Sequence, residues 1–264
     1  MLSLMTDLVN AWRDWHASGA SGILPGDEAL LDRPELTCHI RSWDEFVASE
    51  EWVAKSKRLH LGLTPTPFVG CLDSARVFVL LLNPGLSPLN YFAEYQAQGA
   101  QEINLDCIAQ NEANDRRGFY SLSPEVSWRG GFRYWHGKLS KVANDLAQCR
   151  GLSLVDAFGH IRRNLAVIEL VPYHSAAFGL PQSVVSQLRS VRLAQEYVRE
   201  VVVPKAERGD AAVIVTRKAK LWGVEPSDQV VVYEGGETRG AHLGPGTRGG
   251  SVLLKALLDA RDAQ

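Results

Sequence analysis

The chain has 264 residues, of which 45% are apolar and 22% charged, with a formal net charge of -2. That balance supports a sizeable core and excludes global disorder, while the length fits one large domain or two small ones. It also excludes any overall pull toward nucleic acid or acidic membranes, so a polyanion partner has to be met by a local basic patch.

The four cysteines, Cys38, Cys71, Cys107 and Cys149, form no C-x-x-C pair. They read as reduced, mostly packed thiols of a cytosolic protein, and their spacing argues against a zinc knuckle or a sequence-compact iron–sulfur site. No basic start followed by an apolar stretch opens the sequence, and no run approaches the about 20 apolar residues that span a bilayer. A cytoplasmic monomer with no membrane contact is expected.

Leu4, Leu8, Trp12 and Trp15 fall near helical spacing, and Ser42 with Glu45 forms a capping-box pattern before "EFVASEEWVAKSKR". Residues 1–62 are therefore expected to be a helical extension packed on a main domain of residues 63–264. "TPTPFVG" (Thr64 to Gly70) cannot be helix, because each proline biases its predecessor toward extended geometry. Beyond it, apolar runs at Val77 to Leu82, Ala166 to Val171, Ala211 to Val215 and Gln229 to Tyr233 are separated mostly by helical stretches. Continuous runs of this kind suit strands covered on both faces, which predicts an α/β domain with a central, mainly parallel sheet. Ser183 to Val203 reads as one amphipathic helix. Val252 to Leu258 reads as a short closing helix capped by Ser251.

Ligands of open α/β sheets gather outside the carboxyl ends of the strands. The first run ends in "NPGLS": Pro84 fixes φ, Gly85 allows close backbone approach, and Asn83 can donate and accept hydrogen bonds. The plain alternative is a tight turn. The second run ends in Tyr173-His174-Ser175, well placed to line a pocket, although His174 also reads as a hydrogen-bonded structural histidine. From Arg239 to Lys255 the chain is basic and glycine-rich, with no acid, ahead of a helix. This is either an anion-binding nest or a surface loop. Between Arg116 and Lys141, basic residues that include Arg116, Arg117, Arg129 and Arg133 face one acid, Glu125, and alternate with aromatics that include Trp128 and Phe132. Such a segment can hold phosphates and offer stacking faces, though half of its aromatics are expected in the core.

"LLLNPGLS" resembles the first motif of the uracil-DNA glycosylase superfamily, in particular its mismatch-specific uracil/thymine branch, with Leu81 in place of the usual glycine. "GFRYWHGKL" is similar to the stretch that follows it there, and the resemblance runs from about Phe68 to the C-terminus. It implies a three-layer α/β/α fold and a monofunctional glycosylase that needs no metal or cofactor. In this picture Asn83 positions the attacking water, and Pro84, Gly85, Leu86 and Ser87 form the base-facing turn. Tyr91, Phe92, Phe132, Tyr173 and Ser175 line the base, and His174 donates to it. His242, Gly246, Thr247 and Arg248 stand where the superfamily has its DNA-gripping loop, although Leu243 and Gly244 replace the Pro-Ser expected after the histidine. The substrate would be DNA carrying a flipped uracil-like, mismatched or modified pyrimidine, in repair or in defence against modified viral DNA. The alternatives are a DNA- or nucleotide-binding module that kept the fold and lost the reaction, and an unrelated hydrolase of small nucleosides.

Overall fold

The protein is described by a computed structural model over residues 7–20 and 22–260; Leu4 lies outside the described residues. Its contacts form two compact units. One contains residues up to Phe68 together with Leu82–Ala109 and Glu169–Tyr197, and the other contains Val69–Leu81, Gln110–Ile168 and the chain from Val198 onward. Among the described residues no helix is long and apolar enough to cross a membrane.

In the first unit the helix Asp7–Ala17 buries Leu8, Trp12 and Trp15 on one face, as their spacing predicts. The rest of the expected helical extension, residues 18–62, is less helical than expected. Strands β1 (Thr37–Cys38) and β2 (Leu59–His60) pair in parallel, placing Cys38 opposite His60. Ser42 does cap the helix Trp43–Ala48, accepting from the Glu45 amide at 3.1 Å, but the Glu45 carboxylate reaches the Arg41 amide and not that of Ser42. The helix stops at Ala48 because Ser49 turns its hydroxyl onto the Phe46 carbonyl and accepts from the Glu51 amide, a local alternative to the next helical turn.

The expected helix over Ser183 to Val203 is broken. It comprises Gln182–Val185, Arg189–Tyr197, a π-turn over Val198–Val202 and then Val203–Glu207. The second segment starts where the fully buried carboxylate of Asp27 accepts the amides of Arg189 and Ser190 at 2.6 and 3.3 Å. The π-turn falls just before Pro204, whose missing N–H cannot continue the α-helical ladder.

A five-stranded sheet carries the second unit: β3 (Phe68–Val69), β4 (Val77–Leu81), β5 (Leu165–Glu169), β6 (Ala212–Val215) and β7 (Val230–Val232), in the order β3-β5-β4-β6-β7. β4, β6 and β7 run parallel, and the four longer strands are almost wholly buried. The chain is thus mixed α/β with a mainly parallel central sheet, and four of the strands lie on the apolar runs. β3, only two residues long, follows two prolines and left no periodic signal.

The closing helix is longer than the sequence suggests, Arg248–Asp259, and Thr247 caps it in place of Ser251, accepting from the Gly250 amide at 3.0 Å. Its glycines serve packing. A Cβ on Gly250 would stand 1.9 Å from the Gly244 carbonyl oxygen, and one on Gly249 would stand 2.4 Å from the Tyr233 hydroxyl, whereas Gly246 has open space. Gly250→Ala is therefore expected to cost about 3 kcal/mol through overpacking against backbone, and Gly246→Ala next to nothing. Thermal melting of the two variants checks the pair; equal midpoints would show that the loop yields freely.

Candidate functional site

All contacts around Asn83 lie within the first unit. Asn83 is half-buried, one residue past Leu82, and its Nδ2 donates to the Ser175 hydroxyl at 2.9 Å, the Pro84 carbonyl at 3.1 Å and the Tyr173 carbonyl at 3.3 Å. The Ser175 amide in turn donates to the Pro84 carbonyl at 3.2 Å. The side chain is thus gripped by its nitrogen, which leaves the oxygen Oδ1, an acceptor that no described residue occupies, as the end available for chemistry. Gly85 is exposed, with nothing within 4 Å of where a side chain would begin, so the turn has free space beside its backbone.

His174 supports this turn. Its Nδ1 donates to the Gly85 carbonyl at 2.9 Å, which fixes the tautomer, so Nε2 accepts from the Thr66 hydroxyl at 3.1 Å. Burial holds its pKa below the usual histidine range, so the ring is neutral. Both nitrogens are committed to the fold, the arrangement of the structural alternative.

Tyr91 does not face a ligand. It is fully buried, stacked on Phe46 at 4.0 Å between ring centres, with its hydroxyl 2.9 Å from Nδ1 of His60. Its i,i+4 partner Tyr95 stacks on the same side at 6.0 Å, and that helical spacing was the signal that the face turns inward. Tyr173 is equally unavailable: its hydroxyl donates to Asp27 at 2.6 Å and accepts from the Leu24 amide at 3.2 Å. Phe92, next to Tyr91 on the helix Pro88–Tyr95, is 40% exposed and meets Trp43 edge-on. Leu86 packs on the Phe46–Leu63–Tyr91 cluster, and Ser87 caps the helix, its amide donating to the Asn90 side chain at 2.8 Å.

The remaining expected residues belong to the second unit. Phe132 stacks on His136 on the helix Gly130–Arg150. Of the interleaved aromatics, Phe119, Tyr120 and Trp135 are core, while Trp128 and Tyr134 are exposed. Arg133 is exposed, Arg116 lies 3.7 Å from Glu112, Arg117 lies 3.9 Å from Glu125, and Arg129 sits over the Trp128 ring. Arg248 is less free than its acid-free window suggested. It binds the Glu237 carboxylate at 2.6 and 3.1 Å and the Val232 carbonyl at 2.8 Å, because Glu237 lies just upstream of that window. Thr247 is spent on the cap; His242 and Gly246 are exposed.

A second cluster of the first unit left no motif in the sequence. Cys38, Glu51 and His60 are buried, with one ligand atom from each lying within 4.8 Å of the others. Burial pushes the His60 pKa down to about 4, against the pull of Glu51. The unfolded imidazole, with a pKa near 6.5, takes up a proton between these two values that the folded ring refuses. Stability from this residue is complete above about pH 6.5 and is lost as the pH falls toward 4, by about 3 kcal/mol. Urea unfolding at pH 7 and pH 4.5 should show that loss in the wild type and a smaller one in His60→Gln.

No family model, curated protein or solved structure matches the chain.

Proposed function

We propose that the protein is a monofunctional DNA glycosylase of the uracil-DNA glycosylase kind, with the three-layer α/β/α arrangement of that superfamily. Its substrate in this proposal is a flipped uracil-like, mismatched or modified pyrimidine in DNA, met in repair or in defence against modified viral DNA. The observation that carries the proposal is the Asn83 amide, held by three acceptors through its nitrogen beside an open glycine turn.

Hydrolysis of an N-glycosidic bond forms a bond from C1′ to water oxygen and breaks the bond from C1′ to the base nitrogen, with positive charge developing on the sugar and negative charge on the departing base. Oδ1 of Asn83 accepts a hydrogen bond from the attacking water and aims its lone pair. An amide is not a general base, so the water proton passes on to solvent, and bases that leave readily are preferred. Extruding the base costs a few kcal/mol, which stacking and edge contacts offset. Phe92 takes the stacking role in place of buried Tyr91, and His174 acts by holding Gly85 in place. Arg133, Arg116 and exposed Trp128 are the residues proposed to meet phosphate and unstacked bases.

The non-catalytic DNA-binding alternative is favoured by one observation: Tyr91, Tyr173 and both nitrogens of His174 are committed to the protein. Mass spectrometry of the bases released from DNA containing uracil, mismatched thymine, alkylated bases and bulky modified pyrimidines separates the two. Free base together with alkali-sensitive sites supports the glycosylase, whereas intact DNA that is still bound supports the module.

A further inference from the structure

We propose that Cys38, Glu51 and His60 bind a single divalent transition-metal ion of the zinc class, through one sulfur, one oxygen and one nitrogen. The proposal stands apart from the glycosylase reading and uses none of its residues.

The fold brings the donors together from distant positions. Parallel pairing of β1 and β2 sets Cys38 beside His60, and the turn after the helix Trp43–Ala48 supplies Glu51. Cys38 and Glu51 are 8% exposed and His60 1%, so all three donors are nine-tenths buried.

Two of these atoms meet without forming a hydrogen bond. Nε2 of His60 and Oε2 of Glu51 face each other at 3.2 Å as a buried ion-pair contact, but neither makes a hydrogen bond of normal geometry. Buried polar atoms are rarely left so. A tetrahedral zinc ion with bonds of about 2.1 Å holds nitrogen and oxygen ligands about 3.4 Å apart, close to that separation.

The surroundings orient both groups toward a shared centre. Nδ1 of His60 is held by the Tyr91 hydroxyl at 2.9 Å, the outer contact that usually fixes a metal-bound imidazole. The other carboxylate oxygen of Glu51 is taken by Arg58, at 3.1 Å from its Nε, which leaves Oε2 for the centre. Thiolate and carboxylate together balance the charge of a divalent ion, and Arg58 leaves the site with one net positive charge. Mixed sulfur, nitrogen and oxygen donors suit zinc, whereas oxygen-only sets suit magnesium or calcium.

A groove of about 700 Å³ lined by Cys38, Glu51 and Arg58 gives an entry path and room for a fourth, exchangeable ligand. Burial pushes the Cys38 thiol up to about 12, so the thiol alone is no nucleophile near neutral pH. Metal binding displaces its proton to solvent as the metal–sulfur bond forms.

Full-length protein is stripped with EDTA and titrated with Zn²⁺ and, separately, Co²⁺. The expected result is one zinc per chain and, with cobalt, a sulfur-to-metal charge-transfer band. The band disappears in Cys38→Ser, and zinc affinity falls by more than about 100-fold in Cys38→Ser and Glu51→Gln; Tyr91→Phe, which disturbs only the orientation of His60, weakens it by about 10- to 100-fold. Circular dichroism confirms that each variant is folded. Folded wild type that takes up no zinc, or variants Cys38→Ser and Glu51→Gln that bind it as tightly as wild type, overturns the assignment.

Discussion

Asp27→Ala is expected to lower the unfolding free energy by about 3–6 kcal/mol, because three donors, two of them in buried bonds, lose their acceptor at once. The carboxylate takes the Tyr173 hydroxyl at 2.6 Å on one oxygen and the amides of Arg189 and Ser190 on the other. It therefore caps a helix more than 160 residues away in sequence, with the added favour of negative charge at a helix N-terminus. Alanine leaves a cavity as well as unpaired polar groups, whereas Asp27→Asn keeps an acceptor for the amides and should cost less. Urea unfolding is the direct check, with the alanine midpoint falling by about 1–2 M. A midpoint within error of wild type would show that solvent reaches these donors. The loss bears on the site too, since the Tyr173 carbonyl is one of the acceptors that hold Asn83.

Much of the sheet was legible because its signals are local. The four longer strands lie on apolar runs rich in β-branched residues, and their burial on both faces is what such runs require. The cap at Ser42 was legible for the same reason, as donor and acceptor are three residues apart. Breaks imposed from far away were not. Nothing near Ser186 announces that Asp27 will restart the helix at Arg189, and nothing near Cys38 announces that β2 will bring His60 alongside it.

The candidate site divides along the same line. Asn83 and the Gly85 turn were found because they lie next to each other at the end of a strand. Tyr91 and Phe92 are also adjacent, but only the phase of the helix says which one faces the core, and Tyr95 one turn later marks the Tyr91 side as buried. The glycines at 249 and 250 suggested an anion nest, while tertiary contact with Ile214, Tyr233 and the Gly244 carbonyl gives them a packing role. Arg248 looked unpaired in a window that ended two residues short of Glu237.

The second large expected effect concerns Asn83. Removing a positioned hydrogen-bonding group from a site of this kind costs about 10²–10³ in rate. The protein loses modest stability with it, because Asn83 is half-buried and Ser175 keeps its backbone bond to Pro84, while the Tyr173 carbonyl loses the Asn83 donor. Asn83→Asp is a useful companion: the carboxylate cannot donate to the Tyr173 and Pro84 carbonyls, so it loses the grip that aims the acceptor.

The most direct test is the single-turnover rate of base release from the best substrate of the mass-spectrometric survey, for wild type and for folded Asn83→Ala at equal DNA occupancy. A fall of about 100-fold or more with DNA affinity unchanged is the expected result. Equal rates, or no measurable release by wild type from any modified DNA, would contradict a catalytic role for the amide at the end of β4.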